Sequence, residues 1–268
     1  MGDILNNEFK FKKSLGQNFL KDNHIINKII DCSDIDKDTL VIEIGPGQGA
    51  LSRSIVEKAK AVILYEIDIR LNWYLNRLLK RYDNYEIIIG DFLKTNLKSD
   101  LKKYNYNKLY VISNLPYYIT TPIINKFIDD DILPDRMVLM IQKEVANRFS
   151  ARVNSRDYGS LTVLLNYYYN INKLFDVSRN SFYPKPRVDS AVICMDLKKN
   201  RKMVKNISVF KRLIYDSFRF KRKNLKNNLG DYDLNKIKNI LLKYNLDLSC
   251  RAENLSLDIF VEIANDII

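Results

Sequence analysis

Hydrophobic positions follow two different rhythms along this chain. Thr39-Leu40-Val41-Ile42-Glu43-Ile44 is a short, nearly continuous apolar run, cut off by Gly45-Pro46-Gly47-Gln48-Gly49. From Ala50 to about Lys58 the apolar residues recur at helical spacing. Ala61-Val62-Ile63-Leu64-Tyr65 repeats the strand pattern, and Trp73, Leu75, Leu78 and Leu79 then mark a helix. Further apolar runs cover residues 85–89, 108–112 and 137–141. Strands that are apolar at nearly every position, separated by amphipathic helices, belong to a parallel sheet covered on both faces. Residues 161–169 and 188–197 are two more strand candidates with no convincing helix between them. The pattern therefore predicts an α/β fold with a mostly parallel, seven-stranded sheet that finishes in an antiparallel pair. After residue 197, Lys198-Lys199-Asn200-Arg201-Lys202 reads as an exposed connector, and the remainder is helical in pattern. Two domains are expected: a large α/β domain over 1–200 and a small helical domain over 201–268.

Charge adds a partner class to this picture. Lys and Arg total 44 against 32 Asp and Glu, a net charge of +12 over 268 residues. The excess is concentrated: residues 201–230 hold ten Lys or Arg and a single acid, Asp216. Such a cluster suits a polyanion, although a lysine-rich solvated face would give the same count. Cys32, Cys194 and Cys250 are odd in number and widely spaced, and His24 is the sole histidine. That inventory speaks against a Cys/His zinc site, a disulfide framework and His-dependent nucleophilic catalysis, so no metal is expected. The first eight residues lack a basic region followed by an apolar core, and no apolar run approaches a membrane span. The chain reads as cytoplasmic, and nothing in it calls for an obligate partner; a monomer is expected.

The loop holding Gly45 and Gly47 lies between a strand and a helix, where glycines let backbone approach a ligand and the helix start offers free amides. The same residues also satisfy G-x-G-x-x-A, so a nicotinamide dinucleotide is one candidate ligand. Two acids narrow the choice. Glu66 ends the second strand about twenty residues beyond the glycines, placed to accept ribose hydroxyls. Asp91 ends the third strand, placed to accept an adenine amine. Ligands collect at the carboxyl ends of parallel strands, so the three elements converge and favour an adenosine-containing cofactor.

The fourth strand runs into Ser113-Asn114-Leu115-Pro116-Tyr117. An adenine amine is a poor nucleophile because its lone pair is delocalised into the ring. Two acceptors aimed at its two N–H groups, the Asn114 side-chain oxygen and the Leu115 carbonyl, would favour a pyramidal nitrogen and free that pair. Pro116 restrains the backbone, and Tyr117 offers a flat face for a base. An amine activated in this way needs no general base, which agrees with a single histidine in the chain. Acceptors placed in advance where positive charge develops mirror an oxyanion hole.

From these residues a resemblance follows. The chain is similar to the small-subunit ribosomal RNA adenine dimethyltransferase family, from about Lys13 to Phe260. The blocks that carry the likeness are Leu15-Gly16-Gln17-Asn18-Phe19-Leu20, Glu43-Ile44-Gly45-Pro46-Gly47, Asn114-Leu115-Pro116-Tyr117, Gln142-Lys143-Glu144-Val145-Ala146 and Tyr158-Gly159. They continue through Phe182-Tyr183-Pro184-Lys185-Pro186-Arg187-Val188-Asp189-Ser190, Phe220-Lys221-Arg222-Lys223-Asn224-Leu225 and Arg251-Ala252-Glu253-Asn254-Leu255-Ser256. The resemblance implies a Rossmann-like class I methyltransferase fold and S-adenosyl-L-methionine as cofactor. It implies cofactor contacts from Asn18, Leu20, Gly45, Glu66, Asp91 and Asn114. It further implies that Asn114 and Tyr117 hold the target base and that Phe182 packs against it.

The implied reaction is direct displacement of the sulfonium methyl by the exocyclic amine, performed twice on each of two adjacent adenosines. Those adenosines lie in the loop of the hairpin near the 3′ end of small-subunit RNA, within a ribosomal subunit or its precursor. Lys221, Arg222 and Lys223 are the first choices for phosphate contact, with Lys10, Lys12 and Lys13 adding charge. One departure from the family is Tyr118-Ile119-Thr120, where Asn-Ile-Ser is more usual; another is Asn166, where Gln is frequent. Competing readings are a large-subunit adenine dimethyltransferase conferring macrolide resistance, a non-catalytic nucleic-acid-binding factor on the same fold, and, more distantly, an NAD-dependent dehydrogenase.

Overall fold

A computed structural model describes residues 17–267. Short strand β1 (Phe19–Leu20) leads into α1 (Asn23–Ser33), followed by β2 (Thr39–Ile44), α2 (Ser52–Lys58), β3 (Ala61–Glu66), α3 (Arg70–Leu79) and β4 (Tyr85–Ile89). Next come α4 (Leu97–Leu101), β5 (Lys108–Asn114), α5 (Thr120–Asp129), β6 (Arg136–Gln142), α6 (Lys143–Phe149) and α7 (Ser160–Tyr168). The chain continues through β7 (Tyr169–Val177), β8 (Phe182–Tyr183), β9 (Ser190–Leu197), α8 (Ile207–Ser217), α9 (Leu225–Asn228), α10 (Leu234–Leu242) and α11 (Leu257–Asp266).

The main sheet has seven strands in the order β4-β3-β2-β5-β6-β9-β7, as the sequence pattern predicts in number. Pairings of β2 with β3 and β5, of β3 with β4, and of β5 with β6 are parallel. The register sets Ile42 beside Ile63 and Val111, and Ile112 beside Val138. Every residue of β2 is buried, as expected of a central strand covered on both faces. Helix α3 turns Leu71, Leu75 and Leu79 inward, each worth roughly 1.5–3 kcal/mol when fully removed from water. Trp73, in the same helix, is 65% exposed. Helix α1 buries Ile26, Ile29 and Ile30 and is capped by Asp22, whose carboxylate accepts from the amides of His24 and Ile25. Strand order reverses between β2 and β5, the switch point at which an open parallel sheet forms a ligand crevice.

One expected strand is a helix. Residues 161–169 form most of α7, and the strand follows it as β7. A continuous apolar run of this length fits a buried strand or a helix buried all round, and α7 is the latter: Thr162, Val163, Leu164, Leu165, Tyr167 and Tyr168 are all inside. The Thr162 hydroxyl fixes its start, accepting from the Gly159 amide at 3.2 Å and donating to the Arg148 carbonyl at 2.7 Å. Strand β7 lies at the end of the sheet order and is largely exposed in its middle, so its sequence is too polar to read as a strand.

The described residues up to Lys143, with Leu174–Cys194, form one compact unit. Glu144–Lys173 and the chain from Met195 form another. This grouping divides the chain differently from a boundary near residue 200, because α7 packs with α8 and α11, its Tyr167 ring meeting Phe210 at 4.9 Å. After β9 every element is helical, and Phe210, Leu213, Ile214, Leu241, Phe260 and Ile263 are buried among those helices. Among the described residues no helix is long and apolar enough to cross a membrane.

Candidate active site

A cleft opens at the carboxyl ends of β2, β3 and β5 and is lined by Gln17 to Leu20, the glycine loop, Glu66 and Asn114 to Tyr117. The loop reaches it by backbone that only glycine adopts easily: Gly47 has φ +58° and Gly49 +71°. A Cβ on Gly47 would stand 2.7 Å from the Phe19 ring, and one on Gly49 2.3 Å from Leu78. Phe19 therefore roofs the loop, while Gly49 lets α3 close on it.

Glu66 ties this loop to β3. Its carboxylate accepts the Gly47 amide at 3.0 Å through one oxygen and the Asp68 amide at 2.9 Å through the other. Burial raises its pKa, and the backbone amides oppose that shift. Beside it lies an acid that sequence reasoning passed over. Glu43 is 2% exposed, lines the cleft, and has no hydrogen-bond partner for Oε2. Burial pushes its pKa up to about 8, reinforced by the Glu66 charge and opposed by the Ser52 hydroxyl. The signal was present: a lone carboxylate inside the otherwise apolar run of β2, two residues before the first glycine.

On the facing wall, the Asn114 side-chain nitrogen donates to the Asn18 carbonyl at 3.2 Å. A carbonyl can only accept, so the NH2 end of the amide is committed there and the acceptor end is turned elsewhere. The Leu115 amide donates to the Met140 carbonyl at 3.1 Å and fixes the turn out of β5. Pro116 stands over the glycine loop, 3.5 Å from where a Gly45 Cβ would sit. The Tyr117 hydroxyl meets Ser190 Oγ at 2.6 Å, pinning the far end of its ring; burial raises its pKa.

The cleft thus gathers Asn18, Leu20, Gly45, Gly47, Glu66, Asn114, Leu115, Pro116 and Tyr117. Asp91 does not line it and caps the short turn Phe92–Lys94, accepting from the Leu93 amide at 3.0 Å. For the exposed Tyr118, partial burial and then the charges of Asp91 and Glu66 raise the hydroxyl pKa. Phe182 also lies away from the cleft, 5% exposed in the core with Leu20, Ile26 and Val177. It pairs with Leu20, which belongs to the same core cluster and also lines the cleft. Lys221, Arg222 and Lys223 are all exposed, in the turn between α8 and α9. Lys221 Nζ donates to the Arg156 carbonyl at 2.6 Å. Lys10, Lys12 and Lys13 lie outside the described residues.

A doubly wound sheet carrying a glycine loop, an acid after β3 and an Asn-Leu-Pro-Tyr turn after β5 defines a Rossmann-like methyltransferase. More narrowly, residues 8–268 match the model of the ribosomal RNA adenine dimethylase family, and the chain belongs to that family. Ribosomal RNA small subunit methyltransferase A of Staphylococcus aureus (strain JH9) is 42% identical over 264 residues, covering 95% of this chain and 89% of that protein. A dimethyladenosine transferase of Plasmodium falciparum superposes with a TM-score of 0.74 at 28% identity, over 91% of this chain and 95% of that one. The 23S rRNA methyltransferase ErmE, at 22% identity, shares the fold with a TM-score of 0.72 over 93% of this chain and 99% of its own.

Proposed function

We propose that this enzyme dimethylates the exocyclic amines of two adjacent adenosines in the 3′-terminal hairpin loop of small-subunit ribosomal RNA, with S-adenosyl-L-methionine as methyl donor. The observation that carries the reading is the committed amide of Asn114 in the wall facing the glycine loop. The cleft also fits the cofactor: backbone of the glycine loop can approach it, and the buried Glu43 Oε2 lacks a partner. Asn18, Leu20, Gly45, Gly47, Glu66 and Asn114 would hold the cofactor, which supplies an electrophilic methyl group on a sulfonium. Asp91 would accept a hydrogen bond from the cofactor's adenine amine.

Asn114 Oδ1 and the Leu115 carbonyl accept the two N–H bonds of the target amine. Pro116 keeps that carbonyl in place, and the Tyr117 ring stacks on the base. After the first transfer, one remaining N–H keeps one acceptor engaged. Phe182 backs the cleft wall through Leu20, with which it is paired. Residues 1–200 act as the catalytic domain and 201–268 as the RNA-gripping domain, with Lys221, Arg222 and Lys223 on phosphates. The enzyme works as a cytoplasmic monomer on the small subunit or its precursor.

Incubating unmethylated small and large subunits with labelled cofactor, then mapping modified nucleotides, tests the reading. Dimethylated adenosine pairs in small-subunit RNA are expected; label confined to large-subunit RNA would end the assignment.

A further inference from the structure

Where the neighbouring nucleotide goes is a separate question from how the target amine is held, and the β1–β8 ribbon bears on it. In an antiparallel pair, residues directly opposite share a face. Phe19 is opposite Tyr183, and Leu20 opposite Phe182. The second pair faces the core. Phe19 packs against Leu71 and Leu75 with its ring against Gly47, and both Phe19 and Leu20 line the cleft. Tyr183 shares the face of the ribbon that carries the cleft-lining Phe19, and it is 49% exposed where Phe19 is 8% and Phe182 is 5%.

A cation accompanies this ring. Lys21 Nζ lies 4.3 Å from the Tyr183 centroid. The Lys21 backbone is fixed by its amide donating to the Ser181 carbonyl at 2.9 Å, and the Ser181 hydroxyl donates to Asp22 at 3.0 Å. Exposed Arg179, Lys185 and Arg187 continue the positive charge along the same segment. Its acid, Asp189, is engaged by the Arg179 amide at 3.0 Å.

We propose that Tyr183 and Lys21 form a subsite for the unpaired nucleotide adjoining the adenosine under methylation, the ring taking its base and the ammonium its phosphate. This rests on the function proposed above. An aromatic ring beside a cation is how proteins hold single-stranded nucleic acid with little regard to base identity. The neighbouring base is adenine before its own methylation and dimethyladenine after it, and stacking accepts both.

The test uses small subunits whose RNA carries either the natural loop or an abasic site next to the target adenosine. Methylation of the natural loop by the unmodified enzyme checks the underlying function on its own. Given that, Tyr183→Ala and Lys21→Ala should each raise KM for the natural loop about tenfold, with kcat and cofactor affinity held within about twofold. Tyr183→Phe should restore KM. On the abasic loop, the unmodified enzyme and Tyr183→Ala should become equal. Equal KM for both enzymes on the natural loop, or an undiminished gap on the abasic one, would overturn the subsite. A Tyr183→Ala protein that fails to fold leaves the comparison to Tyr183→Phe and Lys21→Ala, where an unchanged KM in the lysine variant would overturn it equally.

Discussion

At Asn114 the chemistry reduces to one side chain whose two ends do different things. Its nitrogen is held by the Asn18 carbonyl, so the position of its oxygen is set before substrate arrives, and a preorganised polar group needs no reorganisation during reaction. Asn114→Ala should lower turnover by about two orders of magnitude while cofactor affinity, measured by titration, stays within a few-fold; a near-normal rate would remove that oxygen from the mechanism. Glu43 yields a pH prediction. Its carboxyl rises from 4.5 to about 8 on folding, mainly through burial. A raised carboxyl stabilises the fold fully below pH 4.5, and that contribution disappears as pH climbs to about 8. The free protein should therefore lose stability across that window, by the order of a few kcal/mol at most, and Glu43→Gln should flatten the decline in a series of thermal melts. A cationic ligand favours the ionised acid, so cofactor binding below pH 8 should release a proton. Calorimetry in buffers of different ionisation enthalpy would show it, and Glu43→Gln should abolish it.

Among the elements, the glycine loop separates two effects that a sequence motif merges. Gly47→Ala forces a Cβ against Phe19 and Gly49→Ala forces one against Leu78, both at positive φ. Left-handed backbone costs a non-glycine residue roughly 1–2 kcal/mol in each case, so the neighbours decide the phenotype. Displacing Phe19 opens the cleft wall, and Gly47→Ala should weaken cofactor binding by about tenfold or more. Displacing Leu78 loosens α3, and Gly49→Ala should chiefly lower the melting temperature. Similar losses of affinity in both, with equal melting points, would contradict this division. The strands around the loop were legible in the sequence because central parallel strands are apolar at nearly every position, as β2, β3 and β5 are. Helix α7 and strand β7 were not: one is buried all round and the other is largely exposed, so each lacks the periodicity that names its type. Two-residue strands such as β1 and β8 have no period at all, and only the folded chain reveals that Phe182 is buried and Tyr183 exposed. Glycines, Glu66 and Asn114 were readable because each ends a recognisable strand; Glu43 was hidden as one letter of an apolar run.

For the molecule as a whole, net charge states a partner class but not an address. The ten Lys and Arg of residues 201–230 are not equally available: Arg212 is near Asp216 at 3.5 Å, and Lys202 pairs with Asp258 at 2.8 Å. In the turn between α8 and α9, Arg219, Lys221, Arg222 and Lys223 are exposed together, beside Phe220 at 54% exposure. Asn228 braces that turn, accepting from the Phe220 amide at 3.1 Å and donating to the Ser217 carbonyl at 2.8 Å. A braced, cationic turn can meet phosphates without first being ordered. Each phosphate contact releases condensed counterions and adds about 0.7–0.9 to the slope of log affinity against log salt. Replacing Lys221, Arg222 and Lys223 with Gln should weaken small-subunit binding and lower that slope by about two to three, with cofactor titration unchanged. An unaltered slope would move the RNA-gripping surface to some other part of the protein.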